Sequence, residues 1–349
     1  ALPSAAPRYR LIRETMTKAS KPTCWIMTDG TIGMEVQCRG LAAALGLEPV
    51  VKRFRPNPLL RLWPTLGRIP LVAPALTGGD ALEPPWPDMT ISLGRRAAGA
   101  AIAVRARSGG WPGGRTGGRT GRRTVTVHLQ DPRLDPSNFD LLVLPEHDPT
   151  RGDNVILHTG SLNDLTETTI AASGNEFAGL VASVPHPRVA VLIGGGALDP
   201  DLPSQIARIA SDGGCGLMVT TSRRTPESMV SKLRACIPSE HSVLWTGDRV
   251  NPYRGFLAHA DAFVVTGDSV NMTSEACWFG KPVHVVSVSG LSPRIEHFQN
   301  DLSARGLTHP FDGRLEISLG SGKHTPLRET ERVAAIVAER LHERGIDLH

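Results

Sequence analysis

The stretch Ala262–Ser287, AFVVTGDSVNMTSEACWFGKPVHVVS, constrains this chain more than any other. Ala262–Thr266 is a short apolar, β-branched run, the pattern of a buried strand. Thr266-Gly267-Asp268-Ser269 then breaks it with small polar residues. Asn271 to Phe279 has helical character, Gly280 stands where a left-handed helix-ending residue belongs, and Pro282 forbids continuation. Val283–Val286 is a second strand. The helix of such a β-loop-α-β unit points free N–H groups and a partial positive charge at the loop, which suits an anion, most often phosphate. Glu275, one turn into the helix, can accept hydrogen bonds from both hydroxyls of a ribose. The plainer alternative is a strand–helix turn capped by Ser269 or Asn271, with Glu275 only favouring the first helical turn.

A chain of 349 residues exceeds the ~250–300 at which one core stops growing, so two domains are expected. Its 40% apolar content can fill them, and 36 glycines with 5% aromatics fit an α/β protein with many tight turns. The net charge of +4 permits a phosphate-bearing ligand but is too weak to argue for nucleic acid. Cysteines at 24, 38, 215, 236 and 277 form no CxxC pair, which argues against a disulfide framework and for a reducing compartment. No apolar run approaches the ~18–20 residues that span a bilayer.

Ala1–Lys21, basic and nearly free of acids, reads as a disordered leader, a transit remnant, or residues ahead of a start at Met16. Thr23–Thr28 is a strand, Asp29-Gly30-Thr31-Ile32-Gly33 a turn, and Met34–Leu45 a helix. Gly30 and Gly33 suit either close approach to a ligand or close helix–strand packing; the GxGxxG fingerprint is absent. Pro49–Phe54 is the next strand. Arg55–Pro87 is irregular, with leucines and Trp63 interleaved with arginines. It forms either a loop folded onto the core or a lobe that meets an anionic membrane or a lipid-linked acceptor. Met89–Leu93 is a strand, followed by a helix over Arg96–Arg105. Ser108–Arg123, SGGWPGGRTGGRTGRR, is a low-complexity surface loop. Strands follow at Thr124–His128, Asp140–Leu144 and Asn154–His158. Glu146, His147 and Asp148 directly follow one of these, at the ligand-binding edge of an open sheet. His147 or Asp148 can serve as a general base, oriented by Glu146 or Asp148; a polar turn capped by Asp148 is the alternative.

The weakly patterned Glu167–Pro187 is read as the connection between halves. Beyond it come strands at Arg188–Ile193, Gly216–Thr221, Ser242–Trp245, Ala262–Thr266 and Val283–Val286, alternating with helices near Ser204–Ala210, Glu227–Ile237, Tyr253–His259 and Asn271–Phe279. That alternation predicts a parallel sheet covered on both faces. The first tip is Gly194-Gly195-Gly196 and the second begins Ser222-Arg223-Arg224, so backbone, hydroxyl and guanidinium donors share one edge, able to grip a diphosphate. Thr330–Arg344 is an amphipathic helix.

Several stretches together carry a resemblance: TDGTIGMEVQ at Thr28–Gln37, QDPR at Gln130–Arg133, PEHD at Pro145–Asp148, TTSRRTP at Thr220–Pro226, NPY at Asn251–Tyr253, and TGDSVNMTSEA through GKPV at Thr266–Val283. From about Thr23 the chain resembles the elongated-mitochondria-type family, named for a plant mitochondrial fission factor and including many bacterial members described as glycosyltransferases. The resemblance implies a GT-B-like α/β fold of two Rossmann-like domains across a cleft. The expected bounds are 22–170 on the acceptor side, 186–328 for the nucleotide sugar, and 329–349 for a C-terminal helix that can pack back on the first domain. It implies that Glu275 binds ribose. Thr266, Gly267, Ser269, Asn271 and Met272 would surround the diphosphate with Gly194, Gly195, Ser222 and Arg223. The Asp29–Gly33 loop would close over the donor, with Asp29 counted beside His147 and Asp148 as catalytic.

The reaction implied is transfer of a sugar from a nucleotide-diphosphate donor to an acceptor hydroxyl. The acceptor would be lipid-linked or a cell-envelope glycan. The retaining pattern of two glutamates eight apart is missing, since Gly267 lies eight before Glu275, which favours inversion. Asp199-Pro200-Asp201 reads as a helix start, so neither a metal nor another cofactor is expected. Two other readings stay open: a catalytically idle scaffold that recruits partners at a membrane, and a sugar-nucleotide 2-epimerase. The expected location is the cytoplasm, with peripheral membrane contact or association with mitochondria as alternatives.

Overall fold

The computed structural model describes residues 21–68, 77–109, 123–247, 250–315, 325–344 and 346. The leader over Ala1–Lys21 lies outside these except for Lys21, as does nearly all of the low-complexity loop.

The first half alternates strands and helices. It runs through β1 (Cys24–Thr28), α1 (Ile32–Ala44), β2 (Pro49–Pro56), the five-residue α2 (Pro58–Leu62) and a 3-10 turn over Pro64–Arg68. It continues with β3 (Thr77–Gly79), β4 (Met89–Leu93), α3 (Arg95–Ser108), β5 (Val125–Leu129), β6 (Leu141–Pro145) and β7 (Val155–His158). These strands form one sheet in the order β3-β2-β1-β4-β5-β6-β7. All pairings are parallel except β2 with β3. The runs CWIMT, MTISL, VTVHL and LLVLP are buried at every position, as strands covered on both faces must be. Arg55–Pro87, expected to be irregular, contributes α2 and the edge strand β3.

The chain leaves the first sheet after His158, and α4 (Glu167–Phe177) already belongs with the second. The second half continues with β8 (Arg188–Ile193), α5 (Leu202–Gly213), β9 (Gly216–Thr221), α6 (Glu227–Cys236), β10 (Ser242–Trp245), α7 (Tyr253–His259) and β11 (Ala262–Thr266). It ends with α8 (Val270–Cys277), β12 (Val283–Val286), α9 (Pro293–Ala304) and β13 (His309–Pro310). The sheet order is β10-β9-β8-β11-β12-β13, all parallel. Asp201 immediately precedes α5, so the Asp-Pro-Asp run does open a helix. Glu167–Pro187, expected to be a connection, contains α4. Its Ile170 joins the core beneath the second sheet with Leu257 and Phe263, and its Gly174 carbonyl accepts from His259 on α7. The α9 helix was not anticipated.

The last helix, α10 (Glu329–His342), returns to the first half. Val333, Ala334, Val337 and Leu341 recur at helical spacing and pack with Cys38, Leu41 and Ala42 of α1. The two halves also meet along a polar seam. Arg254 pairs with Asp164 at 2.6 Å, Arg305 with Glu146, and the Ser161 amide donates to Ser274 Oγ at 2.9 Å. At Gly160 (φ 67°) the backbone is left-handed, and a Cβ there would stand 2.4 Å from Ser274 Oγ. The five cysteines are free thiols. Among the described residues, no helix is long and apolar enough to cross a membrane.

Candidate functional site

Parallel strands deliver their C-terminal tips to one edge, and each half has such an edge. In the first half the tips open a cavity of about 840 Å³. Asp29 follows β1, Gly94–Arg96 join β4 to α3, Gln130, Asp131 and Arg133 follow β5, and His147–Thr150 follow β6. Arg294, in the first turn of α9, closes the wall from the second half.

Within this cavity Asp29, His147 and Asp148 come together, but their states differ. Asp29 accepts from the Thr31 amide at 3.1 Å and from Arg96 at 2.9 Å. Partial burial pushes its carboxyl up, yet these donors outweigh it and hold the group below its ordinary range. Such a carboxylate positions Arg96 rather than taking a proton near neutral pH. Asp148 is buried and ion-paired with Arg294 at 3.1 Å; its carboxylate also receives the Asp131 amide. It does not hydrogen-bond His147. Glu146 is turned away, to Arg305 and Thr159, so neither expected partner orients the imidazole through a hydrogen bond.

His147 is half-buried and sits edge-on to Phe298 of α9, 6.3 Å between ring centroids. Its ring nitrogens carry no hydrogen bond among the described residues. Burial, then the nearby Arg294 charge, lower its pKa despite the opposing pull of Asp148. The imidazole is therefore neutral at pH 7 and has a lone pair to offer, the condition for a general base. Gln130 (φ 65°) and Arg133 (φ 54°) hold left-handed backbone conformations in the loop facing it, which for residues with a Cβ is uncommon and concentrates at functional sites. Arg95 and Arg133, both exposed on the cavity, have no side-chain partner among the described residues.

The second edge is assembled differently. Thr266 is fully buried; its Oγ1 receives the Gly194 amide at 2.7 Å and donates to Asp268 at 2.7 Å. Asp268 then accepts the Gly195 amide at 2.9 Å, with Arg224 at 3.7 Å. A Cβ at Gly194 would fall 2.2 Å from Asp268 Oδ1, so only glycine lets the carboxylate this close. The anion that this glycine loop holds is the chain's own. Ser222 forms a local turn with Thr225, whose Oγ1 reaches the Gly194 carbonyl at 2.7 Å. Arg223 is exposed and unpaired among the described residues, and it is Arg224 that faces Asp268.

Of the remaining expected residues, Ser269 caps α8 by accepting the Met272 amide at 3.3 Å, and the Met272 side chain packs into the second core. Gly267 pairs with the Val286 carbonyl in the sheet, and its own carbonyl accepts from Gln299. Asn271 faces the first half: its Oδ1 receives Ser161 Oγ at 2.8 Å, and its Nδ2 lies 3.1 Å from where a Cβ on Gly33 would be. Gly33 thus lets α1 approach α8. Gly30, at φ 86°, is exposed with open space around it. Glu275 receives the Tyr253 hydroxyl on Oε2, and its Oε1 carries no hydrogen bond among the described residues. Burial pushes its pKa up to about 7, despite the Tyr253 hydroxyl, with Asp164 adding to the rise and Arg254 opposing it.

Asp268, Tyr253 and Arg294 were missed from sequence. The NPY stretch was the available signal for Tyr253. Asp268 lies in the Thr266–Ser269 loop, but its engagement with a glycine run some seventy residues away is a tertiary fact.

Two sheet-built lobes with strand tips at a shared region define a GT-B-like α/β fold. A UDP-GlcNAc 2-epimerase from Neisseria meningitidis, solved bound to UDP-GlcNAc, superposes with a TM-score of 0.55 at 12% identity, covering 92% of this chain and 99% of that one. The enzyme of the same name from Methanocaldococcus jannaschii gives 0.52 at 10% identity, covering 91% and 99%. The chain belongs to the family described as mitochondrial fission ELM1, whose model matches residues 32–341. The mitochondrial fission protein ELM1 of Arabidopsis thaliana is 30% identical over 256 residues, 64% of this chain and 59% of that protein. An uncharacterised protein of Rickettsia prowazekii is 25% identical over 368 residues, 90% of this chain and 97% of that one.

Proposed function

We propose that this protein is a nucleotide-sugar-dependent glycosyltransferase, with His147 as the base that activates the acceptor. The observation carrying this reading is the unbonded, neutral imidazole of His147 on a cavity of about 840 Å³ at the strand tips. The acceptor hydroxyl gives its proton to His147 as its oxygen bonds to the anomeric carbon. The bond from that carbon to the diphosphate breaks, and the nucleoside diphosphate leaves with the electron pair. Asp148 tempers the imidazolium charge so formed. On the donor side, ribose hydroxyls meet Oε1 of Glu275, and the diphosphate takes the place of Asp268 at the Gly195 amide beside Arg224.

Calorimetry with UDP, GDP and their sugars tests the donor half of this reading. Wild type binds at least one of them and Glu275→Gln weakens that binding; a Glu275→Gln protein that binds as tightly as wild type contradicts the assignment.

One observation favours a second reading, a scaffold without catalysis. The glycine-loop amide already holds Asp268, and Glu275 already holds Tyr253. Under that reading no nucleotide binds and partner capture persists. A third outcome, release of an altered nucleotide sugar without any acceptor, identifies an epimerase.

A further inference from the structure

We infer that the exposed ridge around α2 docks this protein onto an anionic lipid bilayer. Leu59, Leu62 and Trp63 are 48%, 68% and 57% exposed within one short segment. Large apolar side chains exposed singly are ordinary; three within five residues, one of them tryptophan, form a patch that water covers poorly. Arg55 precedes them and Arg61 lies among them, both exposed, and neither side chain has a hydrogen bond or ion pair among the described residues. From Pro49 to Gly79 the sequence carries five basic residues, Lys52, Arg53, Arg55, Arg61 and Arg68, and not one acid.

Charge decides the occupant. A second copy of this chain meeting the ridge face to face would set guanidinium against guanidinium. A lipid surface supplies phosphate to the cations and a headgroup layer in which tryptophan and the arginine stems are stable. The short α2 leaves only a shallow apolar tip, so the binding is reversible and needs both the apolar and the electrostatic part. Asn57 fixes the ridge by accepting the Leu59 amide at 3.0 Å, and Pro58 starts the helix.

The position of the ridge gives the contact a use. Strand β2 runs parallel to β1, so α2 emerges from the same sheet edge as Asp29. The 3-10 turn after it packs against α3, whose first residues line the cavity. A ridge resting on a bilayer therefore holds the cavity near the surface, where a lipid-linked acceptor would enter. The docking itself does not rest on the proposed reaction.

Sedimentation of the full chain with vesicles, without nucleotide, tests it. Vesicles of phosphatidylcholine mixed with phosphatidylglycerol carry the protein down, those of phosphatidylcholine alone do not, and added salt releases it. The double variant Leu62→Ser/Trp63→Ser loses at least about tenfold in partitioning. Arg55→Gln and Arg61→Gln each lose about fivefold. Because these side chains are exposed, the variants keep the wild-type melting temperature, which separates lost docking from lost folding. Failure to sediment with anionic vesicles overturns the inference. So does equal binding to both vesicle types, or binding that the substitutions leave unchanged. Concentration-dependent dimerisation abolished by Leu62→Ser/Trp63→Ser, with no vesicle binding, assigns the ridge to a second copy instead.

Discussion

The first-half edge is open and the second-half edge is filled. Both are made of loops following parallel strands, and both present glycine, arginine and carboxylate. At the first edge the ion pairs Asp29–Arg96 and Asp148–Arg294 leave His147 unbonded beside a cavity. At the second, Asp268 sits on the glycine loop and Tyr253 on Glu275. One fold rule therefore yields two different conditions. A ligand entering the first edge displaces solvent, whereas one entering the second must compete with side chains already in place. The proposed reaction needs both, with chemistry at the open edge and donor affinity set by the filled one.

The largest expected effect tests the open edge. His147→Ala lowers turnover by about 100- to 10,000-fold, the usual range for a lost general base, with little change in nucleotide affinity. The rate of wild type falls as pH drops through the lowered pKa of His147, because protonation removes the lone pair; a loss beginning above the ordinary histidine range would point to another base.

Next is the filled edge. Glu275 has a folded pKa raised to about 7, so the native state binds a proton that the unfolded chain has released by then. Its contribution is present below the ordinary glutamate range and is lost as pH rises towards 7. The cost at pH 8 is about 3 kcal/mol. Glu275→Gln should therefore raise the melting temperature relative to wild type at pH 8 and much less at pH 4.5; a pH-independent difference would remove burial as the cause.

The seam between the edges comes third. Gly160→Ala combines a left-handed backbone with a clash at Ser274 Oγ. The substitution costs about 2 kcal/mol in denaturant unfolding. An unchanged midpoint would mean the seam yields freely.

Asp268→Asn is the smallest effect. Removing the carboxylate charge that competes with a diphosphate tightens UDP or GDP binding by about tenfold in calorimetry. Weaker binding would show that Asp268 shapes the loop for the ligand instead of excluding it.

The same contrast marks what could be read from the sequence. Strands such as Arg188–Ile193 and Ala262–Thr266 were legible because a doubly covered parallel strand is a continuous apolar run. Helix α4 was not, since only Ile170 and Gly174 are buried in it and its support comes from α7. Nor was α9, where Phe298 and Leu302 are the buried pair in an otherwise polar segment. His147 was legible as a titratable group after a strand, but the ion pair beside it was not. Arg294, which engages Asp148, arrives from a helix that gave no signal. The filled edge was legible as a loop with glycines opposite, and illegible in its occupancy. A carboxylate in a polar loop reads the same whether it meets water, a ligand or a distant amide.

The most direct test follows nucleoside diphosphate release from a panel of nucleotide sugars, with wild type and His147→Ala side by side. Wild type is expected to release it from at least one donor, faster with an acceptor hydroxyl compound, and His147→Ala at least about a hundredfold more slowly. Equal release by both proteins, or none by wild type from any donor that calorimetry shows to bind, would contradict the proposed reaction.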